Sequence, residues 1–132
     1  MTKKFLKDVC IGEKYELKAL KHLVYDSYEQ SKGKFSDWDL KLKHDGKETT
    51  YEVKADFMSY KSGKVAIEYE CNKKPSGIYS SKADFYILCL IHPKGGEKVL
   101  KIPIEELRRR KDEYKGIMCG DGKKQMLFIA DT

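Results

Sequence analysis

The sequence predicts a single α/β domain in which one helix precedes a sheet of short strands. Three observations support this fold class. A helical apolar period marks residues 12–30, alternating runs occupy much of residues 35–71, and residues 85–91 are continuously apolar. At 132 residues the chain suffices for one hydrophobic core and is too short for two. We therefore interpret residues 1–132 as one domain.

The first predicted element is an amphipathic helix from Gly12 to about Gln30. Apolar residues recur at helical spacing, and lysines fall on the other side. The apolar residues are Leu17, Leu20, Leu23, Val24 and Tyr28. Gly33 breaks the pattern, so we expect the helix to end before it.

A three-stranded meander is predicted next. Residues 35–43 (FSDWDLKLK) and 49–56 (TTYEVKAD) alternate with period two, and the turn-forming segment HDGKE separates them. Residues 65–71 (VAIEYEC) alternate again after a second turn. The first two runs are expected to form a β-hairpin, and the third run is expected to follow it as the next strand.

The second half begins with a polar segment, NKKPSGIYSSKAD, predicted to be a loop with at most a short helix. The apolar run 85–91 (FYILCLI) is typical of a central strand covered on both faces. After it we predict a strand at 99–104, a charged helix at 105–114 and a last strand at 125–130.

Charge points to a polyanionic partner. Lys and Arg outnumber Asp and Glu by 27 to 21, and the excess recurs in short clusters. Nucleic acid is the commonest polyanion that such a surface binds. A lysine-rich face that is merely solvated explains the same charge equally well.

Cysteine usage and hydropathy suggest an intracellular protein. The four cysteines show no CxxC pairing and the three histidines no zinc-ligand spacing, so no structural zinc is predicted. Cys89 lies in an apolar run, where a free buried thiol is common. No stretch has signal-peptide or membrane-spanning length. We therefore expect a soluble cytoplasmic protein with no membrane partner.

Two carboxylates and a lysine are expected to converge on the predicted hairpin. Glu52 and Lys54 share one face of the second strand, and Asp39 on the first strand has the same alternation. The acid-x-Lys pattern occurs six times in the chain, so only this setting distinguishes it. Paired carboxylates favour a hard cation such as Mg²⁺, and a neighbouring lysine stabilises charge on a phosphodiester. The predicted chemistry is phosphodiester hydrolysis.

These residues resemble the PD-(D/E)xK nuclease superfamily, which includes many restriction enzymes and the archaeal Holliday-junction resolvases. The resemblance rests on Asp39 in DWDLKL, on YEVK at 51–54 and on GEKYE at 12–16. It covers roughly residues 12–91, and the segment IEYECNKKPSGIYSSKADFYIL resembles uncharacterised phage and bacterial members. The resemblance implies a restriction-endonuclease-like αβββαβ core with a central mixed sheet flanked by helices.

The resemblance also implies roles for four residues. Asp39, Glu52 and Glu16 would hold Mg²⁺ or Mn²⁺, and Lys54 would assist the attacking water. Glu16 corresponds to the glutamate of a Gly-x-x-x-Glu sequence that opens the first helix in the resolvase-like branch. The proline of the signature is absent, which leaves Asp37 as an alternative to Asp39. Helical periodicity slightly favours Glu13 over Glu16, whereas the resemblance favours Glu16.

A basic loop is the predicted contact to nucleic acid. Lys73, Lys74, Ser76 and Lys82 surround a glycine-containing segment whose N–H groups, hydroxyls and ammonium groups suit a phosphate backbone. A solubilising loop explains the same residues.

Three functions are compatible with this pattern: a structure-selective or weakly specific nuclease, an inactive nuclease-like nucleic-acid-binding module, and a domain that binds an acidic protein. For the first two, DNA is favoured over RNA. A homodimer is the expected alternative to a monomer.

Overall fold

The structure is a computed structural model that describes residues 13–31, 37–114, 116–119 and 125–131. These residues form two β-sheets and a few short helices. In chain order the elements are α1 (residues 13–20), β1 (Ser27–Gln30), β2 (Leu40–His44), β3 (Lys47–Asp56), α2 (Ser59–Ser62), β4 (Lys64–Cys71), β5 (Lys74–Pro75), a 3₁₀ turn (Gly77–Tyr79), β6 (Phe85–Ile91), β7 (Glu97–Pro103), α3 (Ile104–Lys111), β8 (Ile117–Cys119) and β9 (Gln125–Asp131).

The main sheet is mixed and has the strand order β1-β2-β3-β6-β7. β3 and β6 run parallel, and the other neighbours are antiparallel. The start of β6 is fixed to β3 because the Asp84 carboxylate accepts hydrogen bonds from the backbone N–H (2.9 Å) and hydroxyl (3.2 Å) of Thr50. The predicted α/β class, hairpin and central strand are thus confirmed.

The connection from β3 to β6 carries most of the second layer. It passes through α2, β4, β5 and the 3₁₀ turn. β4 belongs to a second, antiparallel sheet with the order β5-β4-β9-β8. This layer and α3 cover one face of the main sheet, and α1 covers the other.

Each face of the main sheet has its own apolar core. On the α1 face the buried cluster includes Tyr15, Leu40, Val53 and Ile87. On the opposite face a second cluster joins β6 to β4, the 3₁₀ turn and α3, and its members are Val65, Ile67, Ile78, Ala83, Tyr86, Leu88, Ile104 and Leu107. Alternate residues of β6 enter the two cores, which explains why this strand is apolar throughout.

The predicted length of the first helix was wrong. Helical structure ends at residue 20, and three backbone hydrogen bonds of the i→i−3 type form a turn directly after it. Residues 27–30 then form the edge strand β1. Val24 (74 % exposed) and Tyr28 (48 % exposed) therefore continue the apolar period without being buried. Pairing of Tyr28 with Leu42 on β2 overrides the helical pattern.

The predicted meander was also wrong in its third strand. Residues 65–71 do form a strand, but Ile67 on β4 pairs with Phe128 on β9, in the second sheet. The edge of β3 that the third strand would have used pairs instead with β6, where Val53 lies beside Ile87. Alternation identifies a strand but does not identify its partner.

The remaining predictions on the chain differ in outcome. The strand predicted at 99–104 is confirmed as β7 and the helix predicted at 105–114 as α3, with ends one to three residues earlier than predicted, and the last strand is confirmed as β9. The first hairpin strand begins at Leu40. Gly12 and Gly33 lie outside the described residues. No helix in the described part of the chain is both long and apolar enough to cross a membrane.

Replacing Gly77 should destabilise the fold more than replacing another glycine of similar backbone conformation. Gly77 has φ +54°, and a Cβ there would overlap the carbonyl of Glu68 on β4. Gly46 has φ +76° with open space around it. We expect Gly77→Ala to lower the free energy of unfolding by about 3 kcal/mol and Gly46→Ala by about 1 kcal/mol. Urea denaturation measures both, and equal losses would contradict the close packing at Gly77.

Candidate functional site

A two-residue turn sets the register that brings two carboxylates together. Asp45 (φ +51°) and Gly46 (φ +76°) both have left-handed backbones and connect β2 to β3. An Asp-Gly pair in this conformation forms the tight hairpin turn that suits twisted strands. Counting back along the paired strands from this turn places Asp39 opposite Glu52.

Asp39 is held by the backbone on both sides. Its N–H donates to the carbonyl of Tyr51 on β3 (2.9 Å), and its carbonyl accepts from the N–H of Ser31, just after β1 (3.0 Å). Its carboxylate Oδ2 accepts from the N–H of Val53 (2.7 Å). These three bonds fix the side chain against β3.

The Asp39 and Glu52 carboxyl groups lie within hydrogen-bonding reach of each other, and a bond between them forms only when one of the two keeps its proton. Burial, followed by the neighbouring charge of Asp39, raises the pKa of Glu52 to about 7. Burial also raises the pKa of Asp39, although the bond from Val53 opposes the shift. The Ser81 hydroxyl favours the charged form of Glu52 and lowers its pKa. The pair is therefore poised to exchange a proton or a cation near neutral pH.

Glu16 on α1 is the third acidic group. It is 8 % exposed, and its Oε1 accepts a hydrogen bond from Gln30 Nε2 (3.0 Å). The pKa of Glu16 is raised to about 7, chiefly by burial; the hydrogen bond from Gln30 opposes the shift, the charge of Asp39 adds to it, and the charge of Lys54 opposes it. The carbonyl of Glu13 also accepts from Gln30 (3.3 Å). Of the two glutamates that periodicity leaves open, Glu16 is the one buried beside Asp39.

Lys54 supplies the positive charge of this cluster. Its ammonium group lowers the pKa of Glu16, Asp39 and Glu52 alike, so it lies within electrostatic reach of all three carboxyl groups. Its side chain is exposed. An ammonium group at the solvent boundary of a carboxylate cluster can contact an anionic substrate. The structure thus gathers the four residues that the resemblance implies.

Carboxyl groups are the ligands that a hard divalent cation prefers, but Asp39, Glu52 and Glu16 do not bring three ligand atoms within 4.8 Å of one another in the described part of the chain. Three carboxyl groups supply oxygen ligands, burial disfavours their negative charges, and Lys54 alone offsets only part of that charge. A separate exposed cluster of potential ligands comprises Asp26, His44 and Asp45. Its imidazole lies between the two carboxylates, with Nδ1 at 3.6 Å and Nε2 at 3.3 Å. This second cluster does not identify a metal.

The alternative aspartate faces away from the pair. Asp37 forms an ion pair with Lys82 (3.9 Å), and its carbonyl accepts from the Lys82 N–H (2.7 Å) and the Ser81 hydroxyl (3.3 Å). Asp37 therefore anchors the loop that carries Ser81, whereas Asp39 meets Glu52.

The residues predicted to contact nucleic acid differ in whether their polar groups are exposed or already bound within the protein. Lys73 and Lys74 are exposed in the β4–β5 hairpin of the second sheet. The Ser76 hydroxyl donates a short hydrogen bond to the Glu68 carboxylate. Lys82 pairs with Asp37 but is otherwise exposed. Only the ammonium groups thus remain accessible to phosphate.

The sequence analysis did not identify two residues near Glu52, namely Arg108, which binds the loop carrying Ser81, and Tyr86, which lies opposite Glu52 on β6. Arg108 donates from Nε to the carbonyl of Ile78 and from Nη2 to that of Ser81, both at 2.8 Å. Tyr86 is buried, and burial, followed by the charges of Glu52 and its acidic neighbours, raises its pKa. Although Arg108 belongs to the helix predicted as charged, its guanidinium thus binds backbone carbonyls within the fold.

One signal in the sequence could have identified Arg108. It lies four residues after Ile104 and one after Leu107, on the face of α3 that is buried. Gln30 could not have been identified in this way, because the predicted helix concealed its place on β1. The partner of a buried glutamate comes here from an edge strand that sequence periodicity did not show.

Comparison with known proteins does not assign the chain to a family. No protein-family model, curated protein or solved structure matches it. The arrangement of Asp39, Glu52, Glu16 and Lys54 is therefore the basis for assigning a function.

Neutralising Glu52 should stabilise the metal-free protein at alkaline pH. The folded protein keeps the proton of Glu52 up to about pH 7, whereas the unfolded chain releases it near pH 4.5. This group's contribution to stability is therefore complete below pH 4.5 and is lost as pH rises to about 7. We expect Glu52→Gln to raise the free energy of unfolding by about 1–3 kcal/mol at pH 8 and to change it little at pH 4.5.

Thermal unfolding of both proteins in EDTA measures this effect, with Glu29→Gln as the control because Glu29 is exposed on β1. Added Mg²⁺ or Mn²⁺ should raise the unfolding temperature of the wild-type protein at pH 8 more than that of Glu52→Gln. A variant that is no more stable than wild type at pH 8 would contradict the burial of Glu52.

Removing the Ser81 hydroxyl should raise the pKa of Glu52 further. Ser81 is buried, and its side chain favours the charged form of Glu52. Titration of the ¹³C-labelled glutamate carboxyls by NMR should show a higher pKa for Glu52 in Ser81→Ala. Ser80→Ala is the matched control, since the exposed Ser80 hydroxyl donates to the carbonyl of Gly77 (3.3 Å). Identical titration of Glu52 in both variants would exclude the contact.

Proposed function

We propose that this protein is a metal-dependent nuclease of the PD-(D/E)xK type, a structure-selective or weakly specific DNA endonuclease. The observation that carries the proposal is the contact between the Asp39 and Glu52 carboxyl groups, with Glu16 and Lys54 within electrostatic reach. This set combines oxygen ligands for a hard cation with an ammonium group for a phosphate.

The proposed ligands of Mg²⁺ or Mn²⁺ are Asp39, Glu52 and Glu16. A bound cation supplies Lewis-acid stabilisation of charge at the scissile phosphate. The Val53 N–H holds Oδ2 of Asp39, which leaves Oδ1 for a ligand bond. Gln30 orients Glu16 in the same way from β1. Hydrogen bonds thus hold both carboxylates in the metal-free protein, and the three carboxyl groups would have to draw closer together to share one ion.

Lys54 has the role of orienting the attacking water and stabilising the developing negative charge. Its side chain is exposed, and its positive charge lowers the pKa of all three carboxyl groups. A fixed positive charge at the point where negative charge develops stabilises the transition state more than the ground state.

The order of elements in the main sheet supports the family assignment. The chain runs from α1 through the antiparallel strands β1, β2 and β3 to the short α2, and β6 then returns parallel to β3. An αβββαβ core has this order. In this chain β4 and β5 are inserted between α2 and β6, so the proposed core is extended by a second sheet.

The size and charge of the domain favour limited sequence readout. A net charge of +6 suits sequence-independent contact with phosphates. Base recognition needs elements that enter a groove, and such contacts are separate from those that hold the backbone. Cleavage directed by nucleic-acid structure follows more naturally than cleavage directed by a long sequence.

The test is cleavage of linear, circular, branched and single-stranded DNA, and of RNA, with Mg²⁺, Mn²⁺ or EDTA. We expect divalent-dependent cleavage by the wild-type protein and a loss of at least about 100-fold in Asp39→Asn, Glu52→Gln and Lys54→Ala. Glu29→Gln should cleave normally, because Glu29 is exposed on β1. Full activity in Asp39→Asn or Glu52→Gln would refute the assignment.

A second candidate is a nuclease-like module that binds nucleic acid without cleaving it. The shared proton between Asp39 and Glu52 favours this alternative, because a protonated pair is stable without a cation. Such a module binds in a salt-dependent manner and cleaves with no divalent ion. Lys54→Ala then weakens binding only by the loss of one positive charge.

A further inference from the structure

Phe57 and Met58 form an exposed apolar tip immediately after β3. Phe57 is 45 % exposed and Met58 is 63 % exposed. The tip is held in one conformation because the Asp56 carboxylate accepts hydrogen bonds from the N–H groups of Met58 (2.9 Å) and Ser59 (2.6 Å). The two adjoining side chains thus present a small apolar surface on a backbone that is hydrogen-bonded in place.

The tip contacts α1, the helix that carries Glu16. The ring of Phe57 meets the ring of Tyr15 edge-on, with centroids 5.5 Å apart, and Tyr15 directly precedes Glu16 on α1.

Positive charge surrounds the apolar tip. The ammonium groups of Lys14 and Lys18 lie 5.7 and 5.2 Å from the centroid of the Tyr15 ring. That of Lys61 lies 5.7 Å from the ring of Tyr60, in the helix that follows the tip. Apolar surface bordered by ammonium groups is complementary to a ligand that is flat and apolar in one part and anionic in the next.

We propose that the tip formed by Phe57 and Met58 takes up an unpaired base next to the phosphate held at the carboxylate cluster. Lys14, Lys18 and Lys61 would contact the flanking phosphates. Stacking on an aromatic ring and insertion of an apolar side chain both require a base that has left the helical stack. The substrate class is therefore DNA with unpaired nucleotides at a branch, bulge or single-strand junction. This inference rests on the proposed nuclease function.

The test measures binding and base unstacking without cleavage. Wild-type protein in EDTA is titrated against a duplex with one unpaired 2-aminopurine and against the same duplex fully paired. We expect tighter binding to the first duplex and a change in 2-aminopurine fluorescence. Phe57→Ala/Met58→Ala should weaken binding to the unpaired site by about 5- to 150-fold, the effect of losing one stacked base, and binding to paired duplex by less than about twofold.

Two controls separate this effect from a loss of folding. Val24→Ala removes an exposed apolar side chain far along the chain from the tip and should bind as the wild type does. Met58→Ala leaves the ring contact between Phe57 and Tyr15 intact and should still reduce the preference for the unpaired site. Circular dichroism during heating checks that each variant is folded.

The outcomes distinguish this inference from the proposed function. If the folded variants keep the wild-type preference for the unpaired base, the role of the tip is refuted while cleavage by the carboxylate cluster stands. If the wild-type protein binds no nucleic acid, both proposals fail. A lower oligomeric mass in Phe57→Ala/Met58→Ala, with unchanged preference, would show instead that the tip joins two copies of the chain.

Discussion

The backbone bonds that hold Asp39 determine the character of the whole site. Its N–H is bound to β3, its carbonyl to the end of β1 and its carboxylate to the N–H of Val53, so the side chain cannot turn away from Glu52. Two carboxyl groups forced together out of water must share a proton or bind a cation. The hydrogen bonds of the hairpin thus stabilise an arrangement of side chains that is unfavourable when both carboxylates are negatively charged. Sites of this kind reduce stability where function needs a strained charge distribution.

The second layer of the fold supports the carboxylates from the opposite side. Ser81 contacts Glu52, and Arg108 of α3 holds the carbonyl of Ser81, so the charged helix reaches the site through a single loop. The apolar core beneath the loop includes Ile78 and Leu107, which fix the relative positions of the 3₁₀ turn and α3. The segment between α2 and β6 therefore contributes to the site as well as to the core. Without it, the Glu52 carboxyl would be closer to bulk water, and its pKa would lie nearer the usual value.

The sequence allowed the hairpin and its charged face to be predicted, and it failed for contacts that are distant along the chain. Asp39 and Glu52 are separated by one tight turn, so local register alone decides that they meet. The patterns that include Tyr28 and Ile67 were correctly recognised as periodic, but Tyr28 was assigned to the first helix and Ile67 to the sheet of the hairpin. An edge strand and one turn of an amphipathic helix expose similar sets of residues, and an alternating strand fits any sheet with one apolar face. Neither pattern contains the identity of the partner.

What the sequence determined by itself was therefore local: the Asp-Gly turn, the alternation of charge and apolar residues on β2 and β3, and the continuous apolar run of β6. Each depends on residues that are neighbours in the chain, whose φ/ψ preferences and side-chain periods act over a few positions. The tertiary structure alone decided that β6 pairs with β3, that β4 joins another sheet, and that Gln30 and Ser81 meet Glu16 and Glu52. These contacts are chosen by competition among strands and faces for burial, and that competition is settled only when the whole chain packs.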